Sequence, residues 1–320
     1  MPTGSPFRGG ASSHFDGRRF FNPGAPQASG YLDALRWKLT TRPELSPRYV
    51  SDVKPSKPPP GVADNELRVT LINHSTVLLQ QAEANILTDP IWSERPSPFT
   101  WIGLRRRRNP GVPWEDLPRI DIVLLSHNHY DHLDLPTLRR LADRGQSQFI
   151  VPTGVARLLQ SQNIGPVSEL DWGGSLPLGH TTIHSVAAMH ASARGIFDRN
   201  RTLWCGYVIE TAAGIIYFAG DTAFGAHFAS IRERFGAPRL ALLPIGAYEP
   251  RWFMSPVHMA PDQAIRAHEI LAATTSIAIH HGTFQLADEG IDTPKRKLRE
   301  CAAPDSFLVL GNGQSVTLAR

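Results

Sequence analysis

Cysteine is nearly absent from this 320-residue sequence, with Cys205 and Cys301 the only two. Two thiols cannot build a disulfide framework, so the chain is expected to fold on a hydrophobic core in a reducing compartment, with both cysteines buried rather than acting as ligands. Long apolar runs are missing as well. No stretch of about 18 apolar residues offers a membrane span, and residues 1–20 lack the apolar segment of a secretory signal. A cytoplasmic protein is expected, with attachment to the inner face of the membrane left open. Excess charge of one sign is small: 33 Lys and Arg oppose 29 Asp and Glu, a net charge of +4. Bulk charge therefore implies no nucleic-acid partner. There is no Gly-x-Ser-x-Gly elbow to supply a serine nucleophile, and no repeat of solenoid period.

Hydrophobic residues make up 41% of the chain, enough for a sizeable core. The first 65 residues are rich in Pro, Gly and Ser and end near Lys54-Pro55-Ser56-Lys57-Pro58-Pro59-Pro60, which reads as an extended arm. Inside it, Leu32, Leu35 and Leu39 fall on one helical face, predicting a short amphipathic helix that docks on its own domain or on a lipid surface. From Glu66 onward, short runs rich in Val and Ile predict strands over Leu67–Ile72, 76–79, 86–87, 120–125, 149–151, 182–187, 203–209, 215–218, 240–245, 277–279 and 307–310. Helices are expected over 137–144, with Asp134 as N-cap and Pro136 in the first turn, and over 224–235, 261–273 and 294–301. The pattern is one layered α/β domain, residues 66–320, carrying an N-terminal arm, residues 1–65.

The segment Ile122-Val123-Leu124-Leu125-Ser126-His127-Asn128-His129-Tyr130-Asp131-His132 runs from an apolar strand straight into three histidines and an aspartate. Buried polar side chains need partners, and divalent metal ions suit neutral imidazole and carboxylate. In a turn after a strand, His127 and His129 can bind one ion while Asp131 and His132 face another. His190, Asp221 and His280 each follow an apolar run in the same way, at the strand ends where α/β proteins gather their sites.

His127-Asn128-His129-Tyr130-Asp131-His132 resembles the H-x-H-x-D-H signature of the metallo-β-lactamase superfamily. The resemblance implies a four-layer αββα sandwich with two divalent ions, expected to be zinc. His127, His129 and His190 would hold the first, Asp131, His132 and His280 the second, and Asp221 both. Ser126–Asp134, Pro244–Met254 and Ala278–Phe284, with Leu67–Thr70 and Leu87–Ile91, resemble more narrowly the N-acylphosphatidylethanolamine-hydrolysing phospholipase D family. Two departures are visible: His281 stands where Trp is expected, and Asn73-His74-Ser75-Thr76 replaces Gly-His-Ala-Thr.

The implied activity is a phosphodiesterase that cleaves a phospholipid to phosphatidic acid and an N-acylethanolamine, using water activated between two ions. Asp131, Asp221 and His258 form the expected catalytic group. His258 also matches a position near the substrate phosphate, and Tyr248 is a second expected substrate contact, though a structural role for it is open. Asp89 is a candidate for orienting a ligand from behind. A lactonase or other ester hydrolase is the competing enzyme, since activated water also attacks carbonyl carbon. A diiron redox protein is disfavoured because His129 stands where that branch has Glu. The competing binding protein would use Arg105-Arg106-Arg107-Arg108 on nucleic acid or anionic lipid. Reversible membrane contact would combine these arginines with Leu32, Leu35, Trp37 and Leu39; the alternative is a helix packed on its own domain and a solvated charge run. Oligomeric state is not legible.

Overall fold

The apolar runs are near-continuous because the strands they form are buried on both faces. In the computed structural model, which describes residues 10–318 except 27, 65, 83, 100 and 146, the chain begins with an arm carrying α1 (Tyr31–Thr40). Then come β1 (Leu67–Asn73), β2 (Thr76–Gln81), β3 (Ala84–Thr88), β4 (Ile122–Leu124), α2 (Leu135–Ala142), β5 (Gln148–Pro152), α3 (Ala156–Gln160) and β6 (Val167–Leu170). The second half has β7 (Ser175–Leu178), β8 (Thr181–Val186), β9 (Gly206–Thr211), β10 (Gly214–Phe218), α4 (His227–Phe235), β11 (Leu240–Pro244) and α5 (Arg251–Met254). It ends with α6 (Pro261–Leu271), β12 (Thr275–Ile279), α7 (Thr293–Glu300), β13 (Phe307–Leu308) and β14 (Ser315–Leu318).

Two seven-stranded sheets result, ordered β14-β1-β2-β3-β4-β5-β6 and β13-β12-β11-β10-β9-β8-β7. Each passes from an antiparallel half to a parallel half, at β3 in the first sheet and at β10 in the second. Leu67, Val69 and Leu71 of β1 meet Ile216 and Phe218 of β10 and Ile277 and Ile279 of β12 in a core between the sheets. The alternate residues face helices: Leu138 and Leu141 of α2 cover the first sheet with Phe149 and Val151, and Ala264 and Leu271 of α6 cover the second with Ala241 and Leu243. The architecture is the expected αββα sandwich. Truncating a core leucine such as Leu71 to alanine would cost about 2–5 kcal/mol.

The structure departs from the reading in several places. The strand expected from Leu203 starts at Gly206, because Leu203 and Trp204 pack with Phe15 and Phe20 of the arm instead of pairing. Asp134 stands at the N-cap of α2, yet its carboxylate accepts from Ser93 and from the Thr137 hydroxyl rather than from the helix backbone. Cys205 is buried but Cys301 is exposed. Leu32, Leu35 and Leu39 are all exposed; Trp37 docks α1, packing with Met254 and Ala287 while its indole N–H donates to Asp288. Nor are the four arginines one solvated run. Arg106 is buried against the carbonyls of Ile91 and Ser93, Arg108 is buried between Asp52 and Asp292, and Arg105 pairs with Glu94. Residues 1–9, 27 and 65 of the expected arm lie outside the described residues.

Candidate metal centre

Strand ends from both sheets meet at one edge of the sandwich. The first sheet contributes Asp89 after β3 and the segment His127–His132 after β4. The second contributes His190 after β8, Asp221 after β10 and His280 after β12, while His258 enters between α5 and α6. Tight backbone packing makes this convergence possible. Gly220, in the left-handed region at φ +60°, precedes Asp221, and a Cβ there would stand 2.5 Å from the Ser126 Cβ. At Gly246 a Cβ would lie 2.0 Å from the His280 carbonyl oxygen. Thr222 joins three of the loops: its hydroxyl accepts from the Met189 N–H, its carbonyl accepts from the Met259 N–H, and Asp221 precedes it. Asp89 and His280 themselves hold positive φ values of 33° and 57°, backbone strain of the kind that gathers at functional sites.

The ring atoms form two groups. His127 Nε2 and His190 Nε2 lie 2.8 and 3.2 Å from His129 Nδ1. Opposite them, His132 Nε2 and His280 Nε2 lie 3.2 and 3.4 Å from Asp131 Oδ2. Asp221 Oδ2 stands between the groups, 3.1 Å from His132, 3.0 Å from His280 and 3.9 Å from His190. All seven expected ligands are thus brought together. His258 joins them, its Nδ1 4.0 Å from Asp221 Oδ2. The partly exposed members are His129, Asp131 and His258, which mark the mouth.

Several rings are held from behind so that one nitrogen faces inward. His132 Nδ1 donates to Asp89 Oδ2 at 2.6 Å, and Asp89 is fixed in turn by the Ser126 hydroxyl and N–H. His190 Nδ1 donates to the Val257 carbonyl, and His127 Nδ1 bonds the Ser126 hydroxyl. Such outer partners set the tautomer of a metal-binding imidazole.

A cation suits this arrangement. Burial alone would raise Asp221, but the imidazoles of His132 and His280 outweigh it and hold the carboxyl well below its usual range. Asp131 is held low in the same way, against its burial, chiefly by His132. In return, and against their burial, the carboxylates hold His132 well above its ordinary value and His280 up to about 9. Burial instead pushes His129 down to about 3. One buried and one partly exposed carboxylate therefore draw positive charge to this point, and divalent ions would supply it in place of protons. The edges of 3.0–3.4 Å among His132, His280, Asp131 and Asp221 match the ~3.3 Å edges of a tetrahedron built on zinc bonds of about 2.0 Å. The inward atoms His132 Nε2 and His280 Nε2 are buried with no hydrogen-bond partner, as is the second Asp221 oxygen, Oδ1.

Tyr248, His74 and His281 stand outside the seven. Tyr248 is buried on the loop after β11, and burial beside Glu289 and Glu249 pushes its hydroxyl up; among the described residues it makes no hydrogen bond or ring contact with the cluster. His74, marked in the sequence only as part of a departure, reaches Asp131 with its Nε2 and clusters with Asp131, His132 and His280. It too directly follows an apolar strand, the feature that singles out the other histidines. His281 turns up in a separate cleft of about 320 Å³, with Arg108 and Asp292.

Residues 84–281 match the model of the beta-lactamase superfamily domain. The chain is 38% identical over 250 residues to N-acyl-phosphatidylethanolamine-hydrolyzing phospholipase D 1 of Caenorhabditis elegans, covering 74% of this chain and 70% of that one. Against the mitochondrial N-acyl-phosphatidylethanolamine-hydrolyzing phospholipase D of Saccharomyces cerevisiae the identity is 36% over 229 residues, 69% of this chain and 49% of that one. A possible metal-dependent hydrolase from Veillonella parvula shares the fold, with a TM-score of 0.66 at 19% identity over 78% of this chain and 99% of that one.

Proposed function

Because the chain belongs to the metallo-β-lactamase superfamily, as a metallohydrolase akin to the N-acylphosphatidylethanolamine-hydrolysing phospholipases D, we propose that it is a dinuclear phosphodiesterase. Its substrates would be N-acylphosphatidylethanolamine-like lipids, and its products phosphatidic acid and an N-acylethanolamine. The observation that carries the reading is the shared oxygen of Asp221, which faces His190 on one side and His132 and His280 on the other. His127, His129 and His190 would hold one zinc ion, and Asp131, His132 and His280 the other. When bound, two such ions acidify water towards neutrality and neutralise charge on a phosphoryl oxygen.

The chain's own groups do the rest. Asp131 and Asp221, held ionised by their imidazole neighbours, orient the attacking water as hydrogen-bond acceptors. His258, kept neutral by burial at the mouth, donates a hydrogen bond to the substrate phosphate. Tyr248, buried and with its hydroxyl kept protonated, takes no part in proton transfer.

Lipid access has a structural basis in the exposed apolar side chains. Among the described residues, no helix is long and apolar enough to cross a membrane. Tyr31 of α1 donates to the Ile196 carbonyl, and Arg36 lies over Trp252 of α5, so Leu32, Leu35, Ile196, Phe197 and Trp252, all exposed, share one flank. Arg194, next to this flank, stacks on Tyr130 beside Asp131. Reversible contact with a bilayer is assigned to this flank, and the internal Arg106 and Arg108 are excluded from it.

A substrate panel tests the proposal. The metal-replete protein should hydrolyse the phospholipid in vesicles at least about tenfold faster than a lactone of similar apolar size or a water-soluble diester of the same head group. A chelator should abolish the activity and added metal restore it. Preference for the lactone, or equal rates on soluble and vesicular diesters, would move the assignment elsewhere.

A further inference from the structure

We propose that His74 is a positioning residue for the ion site on the Asp131 side, holding Asp131 Oδ2 through its Nε2–H while its backbone anchors the loop of His280. The inference rests on the dinuclear reading of the site and adds to it a residue outside the seven expected ligands.

His74 sits in the tight turn between β1 and β2 at φ 47°, a region uncommon outside glycine that histidine tolerates better than most residues. Three contacts hold it there. Its N–H donates to the Thr283 hydroxyl at 2.9 Å, its carbonyl accepts from the His280 N–H at 2.9 Å, and its ring lies 4.1 Å from the His280 ring with Phe284 edge-on at 5.2 Å. One residue thus grips both His280 and Asp131. An ionised carboxylate only accepts, so at the 3.1 Å contact to Asp131 the proton is on His74 Nε2 and Nδ1 is left as an acceptor. That Nδ1 is buried and has no partner. An apolar ring would fill the space without stranding a polar atom, so the imidazole is retained for what Nε2 does.

The oxygen that His74 holds is the one that matters. Asp131 Oδ2 also faces His132 Nε2 and His280 Nε2, so it is the oxygen that would serve a bound ion. His74 steadies Asp131 at this same oxygen, whereas Asp89 steadies His132 from behind, at Nδ1. Left unheld, the carboxylate at the partly exposed mouth is free to rotate towards solvent.

Metal titration of the full chain against a competing chelator, with cobalt(II) absorption as a second readout, tests this. His74→Ala should weaken binding of the second ion by about 10–100-fold, the usual effect of losing an outer partner, and leave the first ion bound. His74→Gln, which offers an N–H at similar reach, should recover most of the affinity and keep the cobalt spectrum of the wild type. Unchanged second-ion affinity in His74→Ala, or equal weakening of both ions, would overturn the inference. A shifted cobalt band in His74→Gln would make His74 a ligand and overturn it as well. If the alanine variant does not fold, His74→Gln is compared with His74→Leu: tighter second-ion binding by Gln supports the role, and equal binding removes it. Wild-type protein that binds fewer than two ions would defeat the dinuclear reading itself, and this inference with it.

Discussion

At the scale of single residues, the centre turns on Asp221, whose Oδ2 faces imidazoles of both groups. Asp221→Asn keeps the shape and removes the charge. It is expected to lower metal content and activity together by on the order of a hundredfold or more, since even an outer partner of a metal ligand is worth about 10–100-fold. His129→Ala, which removes a ligand from one group only, should do less. Full metal occupancy and activity in Asp221→Asn would contradict this order. These residues are legible in the sequence because each is a polar side chain directly after an apolar run, where burial without a partner is unfavourable. Asp89 is half-legible: its position after β3 suggests a ligand-orienting role, but only the fold shows that its partner is His132. His74 follows an apolar strand as the others do, but it stands alone in a short turn, and only the fold brings that turn against the loop after β12. Tyr248 carries the reverse lesson, since a motif places it in sequence without saying which way its ring turns.

At the scale of elements, the central strands and the edge strand β13 are legible, and the other three edge strands are not. β6, β7 and β14 read Val-Ser-Glu-Leu, Ser-Leu-Pro-Leu and Ser-Val-Thr-Leu, half-exposed segments with too little apolar contrast to stand out. In α1 the spacing of Leu32, Leu35 and Leu39 is real, but docking follows the large buried surface of Trp37 and its bond to Asp288. Beyond α1 the arm is latched by Glu44. Its N–H donates to the Asp288 carbonyl, and its carboxylate accepts from the Gly290 N–H and the Thr293 hydroxyl. The Thr293 bond, followed by Gly290, holds the Glu44 carboxyl below its usual range. A lowered folded-state value gives stability that is present above the unfolded value, about 4.3, and lost as pH falls through the folded one. Hydrogen exchange of residues 31–50 should therefore be steady from neutral pH down to about 4.5 and, once corrected for intrinsic rates, rise below it. Glu44→Gln should show the faster exchange already at neutral pH. Equal protection at pH 3.5 and 7 would show that the carboxylate is not the latch.

At the scale of the whole molecule, the sequence reveals a layered α/β domain but not that its two sheets repeat one plan, each antiparallel and then parallel. That relation lies in hydrogen-bond order, which leaves no trace in residue spacing. It explains why the candidate centre forms at the edge where both sheets end: neither β4 alone nor β8, β10 and β12 alone supplies the full set of candidate ligands. Leu35, Phe197 and Trp252 are exposed, and on the proposed function they give a lipid phosphodiester its apolar approach to the polar centre. The central claim is that water attacks phosphorus. Hydrolysis of N-acylphosphatidylethanolamine by the metal-replete protein in oxygen-18-enriched water, with both products weighed by mass spectrometry, tests it most directly. The new bond joins the water oxygen to phosphorus and the broken one releases the alcohol, which takes up a proton. One heavy oxygen should therefore appear in the phosphate of phosphatidic acid and none in the N-acylethanolamine, whereas label in the N-acylethanolamine hydroxyl or in a released fatty-acid carboxylate would contradict the account.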